Sequence, residues 1–495
     1  MAAPAKKPHL VFFPFPVQGH ITPAFQLATL LHARHGFDVT FVHTEHNRRR
    51  LLRARGPGAL ADPAPGFRFA AVTDGLPPAS DDDGDAAQDM AALLLSLQAT
   101  APHFKRLVLS ESELPFPAAA GCCLVSDVDP ILRAAEEIGM PRVTFWITSA
   151  TSFMAMQQCR HLVAKGLVPL KDVEQLSNGY MDSTVVDGLP GLPKGMRLRD
   201  FPSMIRTADP NDAVLALTLS TMECHRTVPS AVIFHTFDEL ESHAITAMSD
   251  ILPPIYAVGP LPLLLRHASA AAGDPALAAA TSTARSSLSR EDRACLDWLD
   301  GKRPNSVVFA GFGSIVKLSD QQLAELAWGL AGSGHDFLCV IRSDNQKAAA
   351  LPPEFAAAAA GTRGFVTSWC PQESVLQHAA VGAFLTHCGW NSMLESLCAG
   401  VPLLCWPFAA DQQTNSRMAC TEWRVGVEVG EDPTREEVAA AIREVMGSGG
   451  RGEELRRAAA EWKEKAALAA RPGGSSWVNL ERVVNEVLVP LMDKI

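Results

Sequence analysis

Residues 369–412, 44 positions in all, bring together side chains that could hold a nucleotide diphosphate joined to a sugar. The run His387-Cys-Gly-Trp-Asn-Ser392 follows an apolar, strand-like segment at 383–386 and opens a helical pattern. Backbone N–H groups at such a helix start, around Asn391 and Ser392, lack intrahelical partners and sit at the positive end of the helix, which makes an anion site for phosphates. His387 can add a side-chain donor, and Gly389 permits close backbone approach. A structural alternative stays open, in which Ser392 and Glu395 form a capping box. Further on, Asp411 and Gln412 supply a carboxylate that accepts from two sugar hydroxyls and an amide that both donates and accepts. Trp369, just before Pro371, offers a flat platform for a base, and base–aromatic stacking is worth roughly 1–3 kcal/mol.

Attack by a hydroxyl on a sugar carbon also needs a base, and a positioned histidine contributes ~10²–10⁴-fold. His20 is the candidate, in Pro16-Val-Gln-Gly-His20-Ile-Thr-Pro23. A position beside a helix N-terminus disfavours imidazolium and predicts a neutral, basic ring. A carboxylate would orient its other nitrogen and stabilise the cation that forms. Asp127 and the nearby Asp129 follow a strand at 121–126 and compete for that role.

The elements that must carry these residues are legible from periodicity. His9–Phe13 is a buried-strand run, 14–19 a loop, and Thr22 can cap a helix with Pro23 at its first position. Ala24, Leu27, Ala28, Leu30 and Leu31 give that helix an apolar face, and Gly36 ends it. Further strands are expected at 38–43, 142–146 and 232–236, with a helix through 134–138. A second series begins at 306–312, followed by a helix capped by Ser319 and Gln322 and by strands at 337–341, 364–366, 383–386 and 402–405. Strands alternating with helices imply an α/β fold with parallel sheets covered on both faces. The reading is two Rossmann-like halves, 1–255 and 256–476. Residues 268–288 form a flexible Ala/Ser-rich linker, and a final amphipathic helix at 477–488, within 477–495, packs back on the first half. Residues 77–90, with Asp81-Asp82-Asp83, read as a solvated loop. Ligands of such sheets bind beyond the carboxyl ends of the strands, where these motifs fall.

Composition narrows the function classes. The 495 residues exceed one ordinary domain, and 47% hydrophobic with 20% charged residues is normal for a globular protein. The balance is acidic, 54 Asp+Glu against 43 Lys+Arg, with no basic run beyond Arg48-Arg49-Arg50, which argues against a nucleic-acid partner. The 11 Cys show no CxxC pair and read as reduced, buried thiols of a cytoplasmic protein. The N-terminal apolar run is short and broken by Pro14 and Pro16, so it is not a signal peptide, and no 18-residue apolar stretch predicts membrane insertion. A dehydrogenase is disfavoured because no Gly-x-Gly-x-x-Gly follows a strand.

Across its whole length the 369–412 block resembles the signature box of plant family-1 UDP-glycosyltransferases, and Gly19-His20-x-x-Pro23 resembles their catalytic histidine motif. The resemblance implies the two-lobed GT-B fold and an inverting displacement in which an α-linked UDP-sugar gives a β-glucoside and UDP. It implies His20 as base with Asp127 as its partner. Trp369 stacks on uracil, Gln372 and Glu395 hold the ribose, and Ser314, in Gly311-Phe-Gly-Ser314, lies near the phosphates. Asp411 and Gln412 grip the sugar with the Trp390 position. Cys370 and Thr148 complete the expected donor set. Trp390 with Gln412 is the glucose-type pattern, so UDP-glucose is the expected co-substrate, with no cofactor. Asp127-Val-Asp129 also fits the Asp-x-Asp motif of metal-dependent transferases of another fold, but no metal is expected, since the helix N-terminus and His387 can stabilise the leaving diphosphate.

Two departures stand out: Ile147 replaces a family threonine that often bonds the sugar, leaving Thr148 to substitute, and Cys339 replaces a common tryptophan. Segments such as Thr44-Glu-His-Asn-Arg-Arg-Arg and Gly195-Met-Arg-Leu-Arg-Asp-Phe-Pro are similar to the subgroup of cyanohydrin and terpenoid (7-deoxyloganetin-like) glucosyltransferases. The expected acceptor is a small lipophilic phenol, terpenoid or cyanohydrin, bound by a monomer through loops near Phe15, 77–100, 145–153 and 185–205. The competing readings are a UDP-sugar epimerase on the same fold and a non-catalytic UDP-sugar-binding paralogue.

Overall fold

The computed structural model of the chain describes residues 9–76, 90–110, 121–272, 287–342, 355, 357 and 361–493. The first sheet contains β1 (His9–Phe13), β2 (Asp38–Thr44), β3 (Phe67–Val72), β4 (Cys122–Ser126), β5 (Arg142–Trp146), β6 (Val232–Phe234) and β7 (Ile255–Ala257). Its order is β3-β2-β1-β4-β5-β6-β7, all parallel. The second contains β8 (Val307–Gly311), β9 (Asp336–Val340), β10 (Gly364–Thr367), β11 (Val381–Thr386), β12 (Leu403–Cys405) and β13 (Gly426–Glu428), in the parallel order β10-β9-β8-β11-β12-β13. Both orders reverse direction beside their first strand, at β1/β4 and at β8/β11. Such switch points open a crevice at the carboxyl ends of the strands.

Central strands such as β1, β4, β8 and β11 are buried at every position, because helices cover both faces of each sheet. The helix Gln18–His35 buries Leu27, Leu30 and Leu31 and stops at Gly36, whose φ of 71° suits glycine. The helix Asp320–Gly332 carries the Ser319/Gln322 capping box.

Several boundaries differ from the sequence reading. The first helix starts at Gln18, a full turn before Thr22, because the Val17 carbonyl accepts from both His20 and Ile21 N–H at 3.0 Å. Pro23 therefore lies inside the helix and His20 in its first turn. The expected division at 255 falls in β7, which bonds to β6 in the first sheet. Three strands went unread: β3, a half-buried edge strand, and β7 and β13, which are three residues each. Of the expected 268–288 linker, 268–272 belong to the helix Leu261–Ala272, while 273–286 lie outside the described residues. The loop expected at 77–90 lies outside them except for Met90, which starts a helix running to Leu109.

Trp477, Leu480, Val483, Val484, Val487 and Leu488 join the core of the first lobe. The guanidinium of Arg34 lies 4.0 Å over the Trp477 ring and pairs with Glu481 at 2.5 Å. The chain ends thus tie its last helices to its first sheet.

Candidate active site

The loops after β1 and β4 bring together residues 107 positions apart. His20 Nδ1 lies 2.5 Å from Asp127 Oδ2, and Phe15 N–H donates to Asp127 Oδ1 at 2.7 Å. The Asp127 side chain is 3% exposed and that of His20 26%. An ionised carboxylate only accepts, so this contact places the proton on Nδ1 and leaves Nε2 as the basic nitrogen. The Phe15 ring packs 5.2 Å from the imidazole. Asp129 pairs instead with Arg133 at 2.7 Å, so Asp127 is the acid that holds His20.

The second lobe holds its cleft residues differently. The His387 ring is seated between two glycines. A Cβ on Gly313 would meet it at 2.7 Å and one on Gly389 at 2.4 Å, and Gly313 has a φ of 66° that glycine tolerates. Gly389 thus serves the close approach of a histidine ring. Burial lowers the His387 pKa to about 4, so the ring is neutral near pH 7, and its Nδ1 is buried without a partner. The helix Trp390–Ala399 begins at Gly389 with no side-chain cap, so the capping-box alternative for Ser392 is not realised. Instead Gln372 Nε2 donates to Ser392 Oγ at 2.9 Å and to Glu395 Oε2 at 2.8 Å. Desolvation, reinforced by Glu373, raises the Glu395 pKa to about 8.

Trp369 and Ser314 share a cleft with Val17, Gln18, Arg50 and Arg342, so both lobes line it. Asp411 is buried beside Asn415, whose Nδ2 donates to Asp411 Oδ2 at 2.8 Å and to the Cys388 carbonyl at 3.0 Å. That amide fixes the sugar-side turn against the His387 turn. Burial raises the Asp411 pKa, opposed by the Asn415 bond and by His20 across the cleft.

Other expected donor residues sit less openly. The Trp390 indole lies in the core and donates to the His235 carbonyl of the first lobe at 2.7 Å, leaving only its backbone to face a ligand. The Cys370 thiol is buried and its pKa pushed well up by desolvation. Gln412 Oε1 accepts from Phe408 and Ala409 N–H at 2.8 and 3.1 Å, so the amide oxygen holds its own turn and only Nε2 remains for a ligand. Ile147 is packed in the first core, while Thr148 Oγ1 has no partner. Cys339 is likewise core.

Three contributors escaped the sequence reading. Arg342 ends the apolar β9 segment, is 5% exposed and donates to the Gly313 carbonyl at 3.3 Å; a lone cation after Phe-Leu-Cys-Val-Ile was the available signal. Glu241, 2% exposed at a kink in the helix Asp238–Met248, accepts from Ser149 Oγ, Ala150 N and Thr151 N at 2.6–2.9 Å and so fixes the loop carrying Thr148. Asn415 is the third. Glu241 acts through contacts that no local pattern encodes, and Asn415 couples an i,i+4 bond to Asp411 with a distant one to Cys388.

The lobes are also joined at the rim. Ser203 N–H donates to the Ala410 carbonyl at 2.9 Å, and Ala410 N–H to Ser203 Oγ at 2.8 Å. Thr414 Oγ1 donates to the Asp200 carbonyl at 2.8 Å.

A parallel two-lobed sheet protein with a histidine–carboxylate pair on one wall and a capless helix start on the other has the layout of a GT-B sugar-nucleotide transferase. Comparison with known proteins gives the family. Residues 289–454 match the model described as UDP-glucoronosyl and UDP-glucosyl transferase. The chain is 46% identical to a 7-deoxyloganetin glucosyltransferase of Gardenia jasminoides over 98% of each chain. It is 45% identical to an (R)-mandelonitrile beta-glucosyltransferase of Prunus dulcis over 99% of each. A solved structure of Os79 from O. sativa in complex with UDP superposes with a TM-score of 0.78 at 28% identity, covering 97% of this chain and 100% of that one. The chain belongs to the UDP-glucosyl transferase family and is a UDP-glycosyltransferase.

Proposed function

We propose that the protein transfers glucose from UDP-glucose to a hydroxyl of a small lipophilic plant metabolite, with inversion at the anomeric carbon. The observation that carries this reading is the 2.5 Å contact of His20 with a buried Asp127, which leaves Nε2 as the basic nitrogen. The acceptor oxygen attacks C1 of the sugar as its proton passes to Nε2. The C1–O bond to the diphosphate breaks, and UDP leaves with both electrons of that bond. Asp127 stabilises the imidazolium that forms. The helix start at Trp390–Ser392 and the neutral donor His387 meet the charge that develops on the diphosphate, so the step is assigned no metal and no cofactor.

Trp369 is assigned to the base, Gln372 and Glu395 to the ribose, Ser314 to the phosphates, and Asp411, the Gln412 amide nitrogen and Thr148 to the sugar. Terpenoid and cyanohydrin hydroxyls are the first acceptors to test, since relatives named for 7-deoxyloganetin and mandelonitrile align over nearly the whole chain. Both halves of the site come from one chain, so a monomer suffices. A cytoplasmic location fits the eleven unpaired cysteines and the absence, among the described residues, of a helix long and apolar enough to cross a membrane.

The test is UDP release from UDP-glucose with and without a panel of terpenoid alcohols, cyanohydrins and phenols, with the product anomer read by proton NMR. Acceptor-dependent release with a β-linked product is expected. Donor conversion without acceptor would show an epimerase instead, and bound but unconverted UDP-glucose a non-catalytic protein.

A further inference from the structure

Asn391 opens the donor-lobe helix, and its side chain does not turn toward its own lobe. Its Nδ2 donates to the Gly19 carbonyl at 2.5 Å, one residue before His20 in the other lobe. A carbonyl in the first turn of a helix is normally occupied by the N–H four residues on. Four residues after Gly19 stands Pro23, inside the helix Gln18–His35, and proline has no N–H to give. Its ring also crowds the carbonyl four residues back. In the first turn, the Gly19 carbonyl therefore lacks its donor four residues on, and it is the one that receives the opposing lobe.

We propose that Pro23 is a positioning residue for the transfer reaction: by freeing the Gly19 carbonyl it provides the docking point at which Asn391 locks the donor lobe against the turn that carries His20. The inference rests on the reading of His20 as base. A neighbouring contact acts along the same seam, where the Trp390 indole donates to the His235 carbonyl. The backbone N–H of Asn391 stays free for phosphate while its side chain holds the lobes in register, so donor binding and alignment of the base use different atoms of one residue.

Pro23→Ala tests this. Alanine restores an N–H that competes for the Gly19 carbonyl within the helix. The expected result is a fall in kcat of about tenfold to a hundredfold, as misplacement of a base commonly costs, with the Kd for UDP within about twofold and the melting temperature unchanged or raised. In a double-mutant cycle with Asn391→Ala, the proline substitution should have no further effect on kcat once the amide is gone. Unchanged kcat in Pro23→Ala, a lowered melting temperature accounting for the loss, or additive effects in the cycle would overturn the proposal. His20→Ala measured alongside separates the two claims. If it is as active as wild type, the base assignment fails; if it is inactive while Pro23→Ala is fully active, only the docking role fails.

Discussion

In the first lobe the loops after β1 and β4 meet as a histidine and a carboxylate 2.5 Å apart; in the second, the equivalent loops after β8 and β11 meet as a glycine and a histidine, Gly313 and His387. The strand order around the two points is the same. What differs is how each histidine is kept. His20 has a charged partner and a partly exposed ring, which suits a group that must gain and lose a proton. His387 is walled in by glycines and desolvated until its pKa falls to about 4, which suits a fixed dipole beside an anion. One fold supplies a proton acceptor on one wall and a preorganised phosphate site on the other, by changing what stands beside the imidazole.

Substitutions should separate the two walls. The largest effect is expected from Asp127→Asn, which allows the wrong His20 tautomer: kcat should fall ~10²–10⁴-fold, with UDP affinity retained by calorimetry. A matching loss of UDP affinity would erase the distinction. Next, Trp369→Ala should weaken UDP binding by about 1–3 kcal/mol and raise the KM for the donor more than it lowers kcat. Gly389→Ala drives a Cβ into the His387 ring and should weaken UDP by about tenfold, an amount equivalent to ~1.4 kcal/mol, while leaving acceptor binding unaltered.

A separate effect is on stability, and its balance differs between the lobes. Burial lowers the pKa of His9 and His235 to about 3 and of His43 and His225 to about 4, all in the first lobe. A histidine with a depressed folded pKa lends its full stability above the unfolded value near 6.5, and that stability is lost as pH falls toward the folded value. Each such group costs about 1.4 kcal/mol per pH unit over that window. In the second lobe the lowered His387 is opposed by Glu395 and Asp411, both raised and so binding protons more tightly when folded; the Glu395 contribution grows as pH falls from about 8. Hydrogen exchange at pH 5 should therefore quicken in the first sheet before the second. Simultaneous loss of protection in both would contradict the assignment.

Much of this was readable in the chain because it depends on neighbours in sequence. Continuous apolar runs marked the central strands, since a strand buried on both faces cannot alternate. Side chains set by the backbone just after a strand, such as His20, Ser314 and His387, were placed beside the crevice by the same logic. What could not be read depends on distant partners. The Trp390 indole looked available until a first-lobe carbonyl was seen to hold it. Gln412 spends its oxygen on the turn it belongs to. Pro23 read as a helix start because proline favours that position, while Val17 had already begun the helix a turn earlier. Glu241 carries no local signature because its partners lie about ninety residues away, and for Asn415 only the bond to Asp411 is local while the one to Cys388 is not.

The division of labour between the lobes is tested most directly by measuring, in His20→Ala, both the single-turnover rate with UDP-glucose plus an active acceptor and the Kd for UDP. The rate should fall by at least ~10²-fold with UDP affinity within about twofold of wild type. A retained rate, or a loss of UDP affinity that accounts for the slowed turnover, would show that the chemistry does not reside on the first wall.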